Sequence, residues 1–255
     1  MFRMHPGSFL LLVLLLLVSS TFVGWLIRAR SPESVERERD SLKTIESALL
    51  ALLGLLLGFT FSMAVSRYDQ RKQFEIEEAN NLGTLWLRTS VLSDSARDAE
   101  RSLMRRYLPV RMEFLEGGRS SGRIARSLQQ TGQLQTEMWR IASAEANTRR
   151  DPESALFLSA LNDSIDVTEL RTAALENRIP TSAWGMLLLI GAVACVVFSS
   201  GLRARSMVLR GVLPLIMAAS LALIYDLDSP RSGLIVVRQQ SMERLQQQIN
   251  ATPGN

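Results

Sequence analysis

The chain has a single cysteine, Cys195, and a single histidine, His5, among its 255 residues. One thiol cannot close an intrachain disulfide or build a thiolate metal cluster. One imidazole removes multi-histidine metal sites and leaves little for a histidine-based triad. No glycine-rich phosphate loop, zinc-protease helix or nucleophile elbow occurs. We therefore expect no enzyme and no resident cofactor. Aromatic residues make up only 6% of the chain, and no patch interleaves them with basic residues as nucleic-acid binding would require. Low-complexity and collagen-like composition are absent, and no stretch alternates apolar and polar residues with the period of a strand.

What is present is unevenly spread. The hydrophobic fraction of 47% is ordinary for a soluble protein, but the average conceals four apolar runs. Residues 8–27, 47–66 and 183–202 carry no charge, and residues 207–225 carry only Arg210. An apolar helix of about 20 residues rises about 30 Å, the thickness of the bilayer's hydrocarbon core. Four such runs in a chain of this length cannot share one soluble core, so each reads as a transmembrane helix. Run 8–27 has a competing reading as a secretory signal with Val18-Ser19-Ser20 at its cleavage site. The run continues past that tripeptide to Ile27 and stops at Arg28 and Arg30, as a retained span does. Trp25 and Trp184 sit where an interfacial aromatic belt places them.

The expected fold is an all-α integral membrane protein with a long helical insertion between the second and third spans. Its parts are an N-terminal helix pair within 1–66, the insertion 67–182, a second helix pair within 183–225, and a tail 226–255. In the insertion, Leu82, Leu85 and Trp86, then Leu103, Met104, Tyr107 and Leu108, repeat with helical spacing. Gly117, Gly118 and Gly122 interrupt the pattern, and Ile124, Leu128, Leu134, Met138 and Ile141 resume it. Asp151-Pro152 starts a further helix through Leu158, Leu161 and Ile165 towards Pro180, and residues 241–249 read as a short amphipathic helix.

Orientation by charge is nearly balanced. Nine Lys and Arg residues flank the spans on the side of Arg3, Arg67 and Arg231; seven, or eight with Arg210, flank them on the side of Arg28 and the Arg203/Arg205 loop.

Polar residues gather where the helices leave the bilayer. Asn162, Asp163 and Asp166 stand at i, i+1 and i+4, which brings two carboxylates and an amide together on one helix surface. Two readings follow: an ion or polar-ligand site, or a hydrogen-bonded network joining helices. Asp226 and Asp228 end the fourth span. Carboxylates there oppose the helix dipole and call for a positive partner, either a cation such as calcium or a side chain such as Arg231. Gly54 and Gly58 form a small-xxx-small step beside Phe59, suited to close helix packing or to a pore-facing strip. Arg210 is expected to snorkel to the interface, and Cys195 to be a small packing residue. The sequence pI of 9.8 fits juxtamembrane arginines facing anionic lipid.

With these segments in view, the chain resembles a bacterial family of four-span membrane proteins that carry a bestrophin-like domain of unknown function. The resemblance rests on Gly58-Phe59 with residues 66–72, Glu78-Ala79-Asn80 followed by Leu87-Arg88, and Leu161-Asn162-Asp163 with Asp166. Arg178-Ile179-Pro180, and Asp226-Leu227-Asp228 through Pro230-Arg231 and Gly233, complete it. It spans roughly residues 45–245. The layout is also similar to that of bestrophin channels. That similarity implies a pentameric ion channel of the bacterial inner membrane, with a cytoplasmic insertion and a pore lined by the second span. Asp226 and Asp228 would then stand where animal bestrophins hold calcium, although the acidic run here is much shorter. The implied partners are the lipid bilayer, further copies of the chain and small ions. The alternative function is a non-conducting scaffold or sensor whose insertion binds a partner.

Overall fold

The computed structural model describes residues 4–116, 120–202 and 207–251. Arg3, the expected break at Gly117-Gly118 and the Arg203/Arg205 loop lie outside the described residues. Helices run over α1 Pro6–Arg30, α2 Pro32–Arg37, α3 Arg39–Arg88, α4 Asp94–Glu116, α5 Ser121–Arg149, α6 Pro152–Glu176, α7 Thr181–Gly201, α8 Met207–Asp228 and α9 Gln240–Ala251. A short 3-10 turn, Thr89–Val91, links α3 to α4, and no strand occurs among the described residues. The chain is an all-α membrane protein.

Two compact units form. The membrane unit comprises residues up to Arg67 together with Arg178–Ile235; the insertion unit comprises Tyr68–Asn177 and the chain from Val236 onward. The 50-residue α3 begins in the first and ends in the second. The C-terminal tail is divided between the two units, residues up to Ile235 with one and α9 with the other.

In the membrane unit α1 packs on α7 and α8. The lone histidine starts α1: His5 Nδ1 accepts from Gly7 N at 3.1 Å, and Pro6 takes the first helical position, where a missing N–H costs nothing. Arg28 and Arg30 complement the dipole in the last turn. A stripe of Phe9, Val13, Leu17, Thr21 and Gly24 is buried, while Leu11, Leu15 and Phe22 on other faces are exposed. Phe9 stacks on Tyr225 with ring centroids 4.1 Å apart, and Trp184 meets both rings edge-on at 5.3 and 5.9 Å. Four helical stretches among the described residues are long and apolar enough to cross a membrane, yet only 17–33% of each apolar window is buried. The remaining apolar surface needs lipid or other chains to cover it.

The insertion unit has a conventional core. Leu82, Leu85 and Trp86 of α3 meet Leu103, Met104, Tyr107 and Leu108 of α4, with Leu134 and Met138 of α5 and Phe157 and Leu161 of α6. Met242, Leu245 and Ile249 of α9 complete it. The first turns of α5 differ from the sequence expectation. Its buried stripe passes through Ser127 and Thr131, leaving Ile124 and Leu128 half-buried. The i, i+3, i+4 stripe that includes Leu134 and Met138 fixes that phase, and Ser127 enters the core by donating to the Val110 carbonyl at 2.6 Å. Asp151 starts α6 as expected, its carboxylate accepting from Ser154 N at 2.7 Å.

Candidate functional site

The fourth span ends in a clasp. Asp226 accepts from Leu234 N at 3.0 Å and from Ile235 N at 2.9 Å, so the chain after α8 folds back onto the helix end. That turn requires Gly233: its φ is +136°, and a Cβ there would fall on the Asp226 carboxylate. Asp228 accepts from Ile179 N at 3.1 Å, just before α7, and its cationic partner Arg67 lies at 3.5 Å. Backbone N–H groups and Arg67 thus offset the two carboxylates that oppose the α8 dipole. Arg231 sits half-buried in the turn beyond. Among the described residues no group of three or more His, Cys, Asp or Glu is arranged to hold a metal ion.

Asn162, Asp163 and Asp166 are exposed on α6. Asn162 Nδ2 donates to Asp166 Oδ2 at 2.9 Å, and the Asp163 carbonyl accepts from Asn81 Nδ2 at 3.2 Å. The buried face of α6 carries a different set of polar groups. Glu78 of α3 is held between Arg111 of α4, at 2.7 Å, and Arg171 of α6, all three fully buried. Thr168 donates to Glu78 at 3.2 Å, and the Tyr107 hydroxyl lies 3.0 Å from Thr168 and accepts from Gln135 at 3.0 Å. Burial pushes the Tyr107 hydroxyl up to about 12, so it stays a neutral hydrogen-bonding group. Arg171 also donates to Gln239, whose amide donates to the Met112 carbonyl at 2.9 Å.

Two more α3 residues on the same face tie helix ends together. Arg71 donates to the carbonyls of Ala174 and Asn177 at 3.2 and 3.1 Å, placing a cation at the C-terminus of α6. Glu75 accepts from Ser241 N and Met242 N at 2.9 and 3.1 Å, capping α9. The spacing 71, 75, 78 puts all three on one side of α3. Sequence reasoning singled out neither Glu75 nor Arg111. Arg111 had a readable signal, since it extends the apolar stripe 103, 104, 107, 108 by one turn, where an arginine needs a buried acid. Glu75 had none, because its partners are backbone amides far along the chain.

Among the described residues Gly54 and Gly58 do not pack helices together: a Cβ at either would have no described atom within 4 Å. Phe59 beside them is 63% exposed. Close approach in the membrane unit is made elsewhere, by Gly24, where a Cβ would strike the Val196 carbonyl oxygen, and by Gly191 against Met217. Arg210 also departs from expectation. Rather than snorkelling outward it is 4% exposed, its Nε donating to Ser199 Oγ at 3.1 Å and its Nη2 to the Leu202 carbonyl at 3.0 Å. Cys195 is a buried free thiol.

The bestrophin-like domain matches residues 13–242, almost the whole chain. The protein belongs to the bestrophin-like domain family. No curated protein shows significant sequence similarity to it. Among solved structures it is similar to a bacterial bestrophin homologue from Klebsiella pneumoniae. One single-substitution variant of that homologue matches with a TM-score of 0.71 at 13% identity, over 98% of this chain and 100% of the other. A second variant matches with a TM-score of 0.66 at 13% identity, over 97% and 99%. At such identity the likeness concerns the fold.

Proposed function

We propose that the protein is an oligomeric ion channel of a bacterial inner membrane, with residues 47–66 of α3 facing a central pore and the insertion unit cytoplasmic. One observation carries the reading: the open face of α3. Only Leu53, Thr60 and Ala64 are buried along that stretch, whereas a Cβ at Gly54 or Gly58 would meet no atom of the described residues within 4 Å and Phe59 is 63% exposed. A helix exposed around so much of its circumference needs neighbours, and lipid has no use for a glycine strip next to a phenylalanine. Copies arranged about an axis would give the glycines a wide pore segment and Phe59 a constriction. The resemblance to bestrophin channels supports a pentamer. Asn162, Asp163, Asp166, Asp226, Asp228 and Arg231 then shape the conduction path's polar surroundings, the clasp holding α8 and the start of α7 in register.

The test is flux. Purified protein in liposomes is expected to pass chloride or a monovalent cation, with Gly58→Trp lowering flux at least about tenfold and Phe59→Ala raising it. A folded oligomer that passes neither ion type, or a monomer in native-like lipid, refutes the channel and favours a non-conducting scaffold.

A further inference from the structure

We infer that the core of the insertion unit holds a small inorganic anion of the halide class, bound by the two Nη atoms of Arg111. Arg111 is fully buried on α4, and its Nε is committed to Glu78 at 2.7 Å. The flat face of its guanidinium lies over the Phe114 ring, 4.9 Å from the centroid. Neither Nη1 nor Nη2 has a hydrogen-bond partner. Those two nitrogens carry four N–H donors between them, and side by side they form a fork that takes an anion bidentately. A charged group whose buried donors bond nothing destabilises the fold, so the fork calls for an acceptor.

Charge balance selects an anion over water. The buried ionisable groups of the insertion unit, among the described residues, are Arg71, Glu75, Glu78, Glu100, Arg111 and Arg171. Burial pushes the Glu100 carboxyl up to about 8, so near neutral pH it is protonated. Three guanidinium groups then share the core with two carboxylates, an excess of one positive charge. Glu169, exposed on α6, attracts Arg111 only through space. Water would satisfy the Nη donors and leave the excess charge in place; a monovalent anion removes both defects. Arg171 holds the other oxygen of Glu78, and its Nε is also buried without a partner, so the positive charge is concentrated in one layer. Thr131 of α5 adds a hydroxyl to that layer. It stands one turn from Ser127, which bonds the Val110 carbonyl, and one turn from Gln135, which bonds the Tyr107 hydroxyl, so it lies level with this part of α4. The Thr131 hydroxyl is buried and bonds nothing. Close packing around a fully buried Arg111 favours a monatomic ion over a carboxylate or phosphate. The inference stands whether or not the protein conducts.

The test uses the full chain in detergent, with chloride as the probe and gluconate, too large for a buried site, keeping ionic strength constant. Raising chloride from about 1 to about 200 mM is expected to lift the melting temperature of the wild type by about 3–6 °C, as an ion bound only by the folded state does. Arg111→Met is expected to reduce that chloride response to below about 1 °C, whatever its own melting temperature. Crystals of the wild type grown in sodium bromide are expected to show an anomalous peak at the Arg111 Nη atoms, and this measurement decides alone if Arg111→Met fails to fold. Equal melting of the wild type in chloride and gluconate would overturn the site, water then being the acceptor. So would a chloride response that Arg111→Met retains, or bromide crystals with no anomalous peak at Arg111.

Discussion

Glu100 offers the sharpest test of the insertion unit's energetics. It lies on the core face of α4, fully buried, and neither carboxyl oxygen has a hydrogen-bond partner. Burial, with Glu137 adding a second negative charge, pushes its carboxyl from 4.5 up to about 8. The nearby arginines are turned elsewhere: Arg101 and Arg105 lie over the Trp86 ring at 5.0 and 5.2 Å. At neutral pH the folded chain thus holds a proton that the unfolded chain releases. Stability is complete below pH 4.5, falls by about 1.4 kcal/mol per pH unit as pH rises through the window to about 8, and is level above it. The whole shift corresponds to at most about 5 kcal/mol. Glu100→Gln removes the titration while keeping the shape. In thermal unfolding followed by circular dichroism in detergent, the two proteins are expected to melt within a few degrees of each other at pH 5. At pH 8 the variant is expected to melt higher by about 5–10 °C, about 2–4 °C per kcal/mol after allowance for its own buried amide. Taking the difference between the two proteins cancels every other titrating group. A difference in melting temperature that stays constant from pH 5 to pH 8 would refute the reasoning.

Glu78→Ala leaves two buried guanidinium groups without their carboxylate and is expected to cost about 3–5 kcal/mol, read as a lowered melting temperature of the insertion unit's helices. Gly24→Ala drives a methyl group into the Val196 carbonyl and is expected to destabilise the membrane unit by about 1–3 kcal/mol. Gly54→Ala, at an open position, should leave monomer packing unchanged, so the two alanine variants melting alike would contradict the assignment of Gly24 as the packing glycine.

Much of this architecture is legible along the chain because it is local. The apolar runs locate the spans, since a bilayer demands about 20 uncharged residues in a row. Asp151-Pro152 places the start of α6, and the stripe from Leu82 to Leu161 anticipates most of the core that α3, α4, α5 and α6 build. The exception, the early turns of α5, arose because Ser127 and Thr131 are polar and give no sign of burial until their phase is set by neighbours.

The polar clusters were legible as places and not as partnerships. Asn162 and Asp166 bond each other because helix geometry puts them one turn apart. Asp226 and Asp228 were expected to need positive partners; Asp228 has one in Arg67, both also take backbone amides, and the amide of Ile179 lies 49 residues from Asp228. Glu78 finds Arg111 and Arg171 at separations of 33 and 93 residues. Likewise, a glycine in an apolar helix states only that a backbone surface is bare. The tertiary structure makes Gly24 a packing contact and leaves Gly54 and Gly58 open. The sequence by itself determined the apolar spans, the helical character and, outside the early turns of α5, most of the core-facing stripes of the insertion, because those follow from period and length. Only the tertiary structure decided which buried charge meets which, because ion pairs and close contacts depend on distances between residues that the chain order keeps far apart.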